Sequence, residues 1–320
     1  MNILLPVAFV LCWSSGFIGA KLGAGSASAL TILMWRFLPL TVVLAVVAVT
    51  VARASWQGLG VRDVVRQAVI GALSQSGYLL TVYYAIQLGV STGTTALIDG
   101  VQPLVAGALA GPLLRSHVTA RQWLGLCLGV VGVVVVTTAD ASADASAAAG
   151  VAGWAYALPF IGMLSLVAAT FLESRSATRV APSVSLTVHC AASTVVFTAL
   201  AVGTGTAVPP AELAFWGAVG WLVVLSTFGG YGLYWLILRR SGVTAVNTLM
   251  FLMAPVTAVW GALMFGEPFG PRTLLGLALG LVAVVVVHRG AAPRGDGHAG
   301  DPARDPAARG RADAVSGATR

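Results

Sequence analysis

The chain has 320 residues, of which 58% are hydrophobic and only 9% charged, with a formal net charge of +7 and a mean hydropathy of +0.89. Because about a quarter of the residues of ordinary soluble domains are charged, this composition excludes a soluble globular protein. Lipid must therefore be the solvent for most side chains. Most basic residues lie in short loops without interleaved aromatic residues, so we expect no nucleic-acid partner.

Ten apolar runs predict ten transmembrane helices, because a helix needs about twenty residues to cross the hydrocarbon core. The runs cover 3–21, 28–51, 66–88, 92–114, 122–139, 152–172, 183–203, 213–238, 243–265 and 273–288. Residues 289–320 have almost no large apolar side chains, which predicts a disordered tail. The predicted fold class is therefore an all-α integral membrane protein in contact with the lipid bilayer.

Charge placement predicts the orientation of these helices. With the N-terminus inside, the cytoplasmic loops hold nine arginines, whereas the outer loops and helix ends hold Lys21 and Arg272. The same outer segments hold the acids Asp140, Asp144, Glu212 and Glu267. This bias is typical of a multi-pass protein of the cell membrane with both termini in the cytoplasm.

An internal repeat divides the chain into two units of five helices. A shift of 153 positions brings Leu5-Pro6 onto Leu158-Pro159, Arg36 onto His189 and Gly77-Tyr78 onto Gly230-Tyr231. We therefore expect two domains, residues 1–140 and 150–288, followed by the tail at 289–320. Because five is an odd number, the second unit enters the membrane with opposite polarity, as in many secondary transporters.

Two glycine series predict helices that approach each other closely. Gly125, Gly129 and Gly132 recur in the fifth helix, and Gly276 and Gly280 recur in the tenth. Such spacing serves packing within one chain or a dimer interface, so a monomer and a homodimer both remain open. The three cysteines, Cys12, Cys127 and Cys190, each lie in an apolar run, which predicts buried structural thiols.

Several motifs resemble the drug/metabolite transporter superfamily, specifically proteins with two EamA-type domains. The resemblance spans about residues 5–288 and rests on the runs Trp13–Phe17, Arg36-Phe37, Asn247–Pro255, Gly266–Pro268 and Leu275-Gly276. It implies a ten-helix carrier for amino acids, metabolites or drugs, often an exporter. One departure is that Arg115-Ser116-His117 stands in the first repeat where the family usually carries Gly-Glu, so a role that needs Glu in both repeats is in doubt.

Asp99 is the candidate for proton coupling. An aspartate in a low dielectric has its charged form disfavoured, which suits it to take up and release a proton near neutral pH. A continuous fourth helix would place Thr95, Asp99 and Gln102 on one face. The alternative is that Asp99 pairs permanently with Arg36 or Lys21 as a structural ion pair, and the sequence does not decide between the two.

Arg36 and His189 are the other ionisable groups expected inside apolar helices, where charge is costly. A guanidinium matches the geometry of a carboxylate, so Arg36 is a candidate for substrate binding. Alternatively, it fixes the second helix against carbonyls of a neighbour. His189 is a candidate for titration at physiological pH or for substrate contact, with a hydrogen-bonded structural histidine as the alternative.

The remaining candidates for substrate binding are polar or aromatic residues on predicted helices. They are Tyr78, Gln102, Tyr231, Trp235 and Asn247, of which Tyr78 and Tyr231 match through the repeat. Glu267 precedes Pro271, which suggests that its carboxylate complements the positive end of the last helix.

The leading functional prediction is a secondary transporter of small molecules, working as a proton-linked exporter. The rival class is a polytopic membrane enzyme acting on a lipid or isoprenoid substrate. Aspartate pairs of the prenyltransferase kind inside the predicted helices, HExxH and a Gly-rich phosphate loop are missing from the sequence, which disfavours an enzyme and predicts neither a cofactor nor a metal. A receptor or assembly subunit would leave the inverted repeat unexplained.

Overall fold

The computed structural model describes residues 3–114, 119–144, 150–176 and 180–288, and these residues form helices and connecting turns without a strand. Eight helical stretches in these ranges are long and apolar enough to cross a membrane, and the helix Pro271–Val287 is apolar but shorter. The predicted all-α membrane architecture is confirmed at this level. The tail at 289–320 lies outside the described residues, as do Arg115, Ser116 and His117.

The described residues form thirteen α-helices, which follow one another along the chain. They are α1 Leu4–Ala24, α2 Ala29–Thr50, α3 Val61–Gly71, α4 Tyr78–Gln87, α5 Thr92–Gly100, α6 Gln102–Leu114, α7 Ala120–Asp144, α8 Ala157–Ser174, α9 Pro182–Gly203, α10 Leu213–Trp221, α11 Gly230–Met250, α12 Met253–Phe265 and α13 Pro271–His288. Two π-helical segments join helices into longer rods. The first π segment, Ala72–Gly77, joins α3 to α4, and the second π segment, Leu222–Gly229, joins α10 to α11.

The fourth predicted helix is not continuous. It divides at Val101 into α5 and α6, so the expectation of one polar face from Asp99 to Gln102 is wrong. The physical reason is Pro103, which has no N–H to donate to the Asp99 carbonyl and whose ring crowds that carbonyl. The amide of Val101 bonds instead to the Ile98 carbonyl at 3.2 Å, which closes a tighter turn.

The ninth predicted helix breaks at the matching place. Phe251 and Leu252 separate α11 from α12, four and three residues before Pro255. Pro255 cannot donate to the Phe251 carbonyl, just as Pro103 cannot donate to the Asp99 carbonyl. The predicted boundary between the eighth and ninth helices is a kink within α11 at Gly242, whose φ of 77° favours glycine.

Two pairs of helices that match through the repeat pack directly against each other. The hydroxyls of Thr41 on α2 and Thr194 on α9 lie 2.7 Å apart, and the two residues are 153 positions apart. Helices α7 and α13 also pack together, and a Cβ on Gly132 would lie 2.7 Å from the Gly276 carbonyl oxygen. A Cβ on Gly276 would lie 2.6 Å from the Gly132 carbonyl oxygen, so the close approach is reciprocal. The predicted glycine contact is therefore made within the chain.

Two smaller expectations need correction. The segment after residue 139 was expected to be an outer loop, but α7 continues to Asp144, and Asp140 is buried inside the protein. Asp140 accepts a hydrogen bond from the Ser91 amide at 3.1 Å, which accounts for its burial. Of the cysteines expected to be buried, Cys190 is buried, Cys12 is half-buried and Cys127 is exposed.

Candidate functional site

Arg36 lies at the centre of a polar cluster between the two halves of the chain. Its side chain is only 5% exposed. Nη1 donates to the Tyr83 hydroxyl at 2.7 Å, and Nη2 donates to the hydroxyls of Ser226 at 3.3 Å and Thr227 at 3.2 Å. Nε has no hydrogen-bond partner among the described residues. The partners of Arg36 are thus neutral hydroxyls, and the expected contact with backbone carbonyls is replaced by these side chains.

The second π segment brings Ser226 and Thr227 toward Arg36. A π turn is wider than an α turn and shifts the side chains that follow it, and such turns are frequent at functional sites. Helix α1 leaves room for this segment through Gly16, where a Cβ would lie 2.9 Å from the Ser226 hydroxyl oxygen. The small residue on α1 therefore determines how close the second half of the chain comes to Arg36.

Asp99 lies at the end of α5, directly before the break in the helix. Its Oδ2 accepts a hydrogen bond from the Tyr78 hydroxyl at 2.9 Å. Its Oδ1 is buried and has no partner within the described part of the chain. Asp99 forms an ion pair there with neither Arg36 nor Lys21, so the alternative of a structural ion pair is not found in this structure. An unpaired carboxylate oxygen next to an interrupted helix is chemically able to accept a proton.

The two helix breaks face one small crevice. Gly100 and Val101 of the first break and Phe251 and Pro255 of the second line it, together with Gly280 of α13. The crevice is lined mainly by apolar side chains. At the matching breaks the first half thus carries Asp99 and the second carries Phe251.

A row of aromatic side chains leads away from the polar cluster. Tyr78 lies near Tyr231, and the Tyr231 ring is 5.5 Å from that of Trp13, measured between centroids. Trp13 in turn lies 5.8 Å from Tyr234, which contacts Trp235 at 5.6 Å. Trp235 is 36% exposed, so it lies at the outer margin of the row and away from the centre.

His189 belongs to a separate polar group, at the end of the bundle away from the start of α5. Its Nε2 lies 2.7 Å from Oε1 of Gln67, and Nε2 of Gln67 donates to Glu173 at 3.0 Å. Since the carboxylate can only accept, the amide orientation of Gln67 is determined, and His189 carries its proton on Nε2. This geometry is that of the hydrogen-bonded structural histidine.

Two other candidate residues contribute less. Gln102 begins α6 and is half-buried, on the far side of the break from Asp99. Asn247 lies on α11, but its side chain falls outside the described part of the structure. Sequence reasoning left out Ser226, Thr227 and Gln75, the last of which lies beside Tyr231. The sequence feature that could have identified them is a polar residue inside an apolar run. All three lie in one of the two π segments.

A third polar group lies where α1 ends and α5 begins. Glu267 Oε2 accepts hydrogen bonds from the Thr92 amide at 2.9 Å and the Thr92 hydroxyl at 2.6 Å. Glu267 Oε1 lies 3.5 Å from Nζ of Lys21. Glu267 therefore caps α5, in the other half of the chain, and the expectation that it complements the end of α13 is wrong. Within the described ranges, no group of three or more potential ligand side chains is placed to hold a metal.

Comparisons with known proteins identify the family. Residues 1–138 and 153–289 match the EamA-like transporter family, and the chain belongs to it. An S-adenosylmethionine/S-adenosylhomocysteine transporter of Chlamydia trachomatis is 30% identical over 211 residues, which is 62% of each chain. A probable terminal-alkyne amino-acid exporter of Streptantibioticus cattleyicolor is 23% identical over 286 residues, covering 88% of this chain and 92% of that protein.

A solved structure shares the fold. It covers 89% of this chain and 95% of its own, with a TM-score of 0.57 and 18% identity. The family match confirms the resemblance noted in the sequence, and the family and the names of its relatives point to a transporter and away from an enzyme. The chain is a multi-pass membrane transporter with small molecules as substrates.

Proposed function

We propose that this protein is a secondary active transporter that exports small molecules across the cell membrane in exchange for protons. Two inverted halves, residues 1–140 and 150–288, alternate access to a central site. Ten spans follow if the pair α5 and α6 forms one span and α13 forms another, in addition to the eight long helical stretches. Because ten is an even number, both termini lie on the same side of the membrane. The arginine bias of the loops supports the cytoplasm as that side.

The contacts between matching helices support the inverted arrangement. A residue that contacts its own repeat counterpart lies on or near the axis that relates the halves, and Thr41 and Thr194 form such a pair. The contact between Gly132 and Gly276 follows the same symmetry. The alignment that places Gly125 on Gly276 places Gly132 on Ala283, so a symmetric contact between Gly125 and Ala283 is expected. The Cβ position of Gly125 does lie 2.9 Å from the Ala283 carbonyl oxygen.

The observation that carries the substrate class is the environment of Arg36. A buried guanidinium surrounded only by neutral hydroxyls lacks a counterion among the described residues, which is unfavourable unless an anion arrives. A substrate carboxylate would supply it in bidentate geometry. The relatives named for S-adenosylmethionine and for an amino acid have carboxylate-bearing substrates, in agreement with this role.

Tyr231 lies near Arg36 and Tyr78 lies near Tyr231, and both would contact the rest of the substrate. Gln102, Asn247 and Trp235 are the other residues proposed for substrate contact. His189 is held by Gln67 and would orient α9 next to the pathway.

Asp99 is the proposed proton site. Its free Oδ1 and its position at the break make it able to change protonation state as the surrounding helices rearrange. Protonation would weaken the tie to Tyr78, which links α4 to α5, and would thereby couple proton uptake to movement of the broken helix.

The test begins with a strain that overproduces the protein and is screened for tolerance to toxic amino acids and related carboxylates. Labelled forms of the tolerated solutes are then used in proteoliposomes, both in counterflow and in efflux driven by an imposed pH gradient. We expect Asp99→Asn to retain counterflow and to lose pH-driven accumulation, because exchange needs no net proton movement. Glu212→Gln, an exposed acid at a helix end, serves as the matched control.

Two results would contradict the proposal. Unaltered pH-driven flux in Asp99→Asn would exclude the coupling role. The absence of counterflow for every carboxylate-bearing solute tested would exclude the substrate class.

A further inference from the structure

One carboxylate holds the ends of the two broken helices together. Glu267 follows α12, in the second half, and its Oε2 accepts both the amide and the hydroxyl of Thr92 at the start of α5, in the first half. Lys21 on α1 lies 3.5 Å from the other oxygen. The Glu267 side chain is 7% exposed and that of Lys21 is 25% exposed. A helix N-terminus, a buried carboxylate and a lysine thus meet at one point.

Glycine on α12 makes this contact possible. A Cβ at Gly261 would collide with both the Glu267 carboxylate and the Thr92 hydroxyl. One helical turn further into the membrane, α12 approaches α5 closely again, since a Cβ on Gly93 would lie 2.7 Å from that of Ala258. The two helices therefore lie against each other over their outer turns, and the carboxylate closes the end of that contact.

The opposite end of the bundle is tied differently. There Gln67 on α3 bridges to Glu173 on α8 and His189 on α9, through a neutral amide. The stretch aligned with Gly266–Pro268 is Arg115–His117, which contains no acid in the sequence. The Glu267 contact therefore has no counterpart acid in the other repeat.

This asymmetry matters because of how inverted repeats work. If two inverted halves were identical, the state open at one end and the state open at the other would have equal free energies. Any bias must then come from positions where the halves differ, in proportion to the differential interaction energy. A carboxylate that binds across the halves at one end only is such a difference.

We propose that Glu267, Thr92 and Lys21 form a clamp that keeps this end of the transporter closed at rest and favours the state open at the opposite end. The clamp separates when the Glu267 end opens, so it sets the ratio of the two states and contributes nothing to substrate binding. This inference rests on the alternating access proposed above.

The test measures distances at both ends by electron spin resonance in lipid nanodiscs. Spin labels at Leu88 and Phe269 report on the Glu267 end, and labels at Val61 and Ser183 report on the opposite end. All four positions are exposed. The three native cysteines are replaced by alanine in every sample. Glu267→Gln removes the charge, Thr92→Val removes one of the two donors, and Glu212→Gln is the control for an exposed acid near the same end.

We expect Glu267→Gln to raise the ratio of long to short Leu88–Phe269 distances about tenfold, since charge-assisted hydrogen bonds are lost. Thr92→Val should produce a smaller shift in the same direction. Val61–Ser183 distances should shorten in both variants, because the bundle closes at one end as it opens at the other. A purely structural role would instead lower the thermal stability without this reciprocal change.

Unaltered ratios in both variants, or the same shift in Glu212→Gln, would overturn the clamp. Solute counterflow of the same variants, measured in proteoliposomes, separates this failure from that of the proposed function. Counterflow with unaltered ratios rejects the clamp alone. A reciprocal shift without counterflow in the unsubstituted protein supports the clamp and rejects the proposed substrate class.

Discussion

The two halves of the chain share a backbone plan but carry different chemistry at matching places. Each half has a π segment, which precedes α4 at Tyr78 in the first half and α11 at Gly230 in the second. Each half also has a helix that is broken shortly before a proline. Yet Arg36 aligns with His189 in the repeat, and Asp99 aligns with Phe251 when Pro103 is placed on Pro255. The plan repeats, whereas the buried charges do not.

This difference separates two kinds of requirement. Prolines, small residues and apolar side chains build the breaks and the close contacts, and both halves need them for the same packing reasons. A buried charge is expensive, so it is retained only where a substrate, a proton or a partner compensates for it. The departures from the repeat therefore mark the positions where this transporter differs from a symmetric scaffold.

The largest expected effect comes from the unequal pair Arg36 and His189. Arg36→Gln should lower the initial rate of solute counterflow about 100-fold, because a charge-assisted contact with the substrate is lost. His189→Gln should lower it no more than about threefold, since an amide can still donate to Gln67. The rates are measured in proteoliposomes at equal protein content. Equal losses in the two variants would show that the halves contribute alike.

The second prediction concerns a feature that the two halves share, the close glycine contact between α7 and α13. Gly132→Ala and Gly276→Ala should each lower the free energy of unfolding by about 2 kcal/mol, because the new methyl group meets a carbonyl of the facing helix. Gly217→Ala on α10, where nothing lies within 4 Å of the new Cβ, should not destabilise the protein, because alanine favours a helix over glycine. Thermal unfolding in detergent measures all three. A neutral Gly132→Ala would contradict the close approach.

The two helix breaks should respond unequally to removal of their prolines. Pro103→Ala allows a hydrogen bond to the Asp99 carbonyl and should lower pH-driven transport about fivefold, an effect of roughly 1 kcal/mol. Pro255→Ala should lower it less, because Phe251 carries no proton. Counterflow measured beside pH-driven flux separates coupling from general inactivation. A larger loss in Pro255→Ala would contradict the proposal that the break beside Asp99 couples proton movement to transport.

The smallest effect concerns the two threonines that face each other across the halves. Thr41→Val and Thr194→Val should each cost about 1 kcal/mol of stability, and the double variant should cost less than their sum. Thr198→Val on α9 is the control, because its buried hydroxyl has no partner among the described residues. Thermal unfolding provides the measurement. Strict additivity would argue against a direct Thr41–Thr194 bond.

Much of the architecture could be predicted because lipid imposes a simple rule on sequence. Uninterrupted apolar runs indicated most helices within a few residues, and Gly242 marked the kink between the eighth and ninth runs. The breaks were missed because Pro103 and Pro255 lie in strongly apolar surroundings, where hydropathy outweighs the loss of one hydrogen bond. Asp140 was assigned to a loop for the opposite reason, since its neighbours are small, and its bond to the Ser91 amide joins residues that are 49 positions apart.

The sequence by itself determined the membrane class, the two-part division and the family, because these depend on composition, periodicity and spacing along the chain. It also singled out Arg36 and Asp99, since a charge in an apolar run is conspicuous. Only the tertiary structure decided their partners. Whether Asp99 pairs with Arg36 or Tyr78, and whether Glu267 caps α13 or α5, depends on which helices pack together. Those choices follow from how separate helices pack, since Thr92 and Glu267 are 175 positions apart and even Tyr78 and Asp99 lie on different helices. Local patterns cannot encode such contacts.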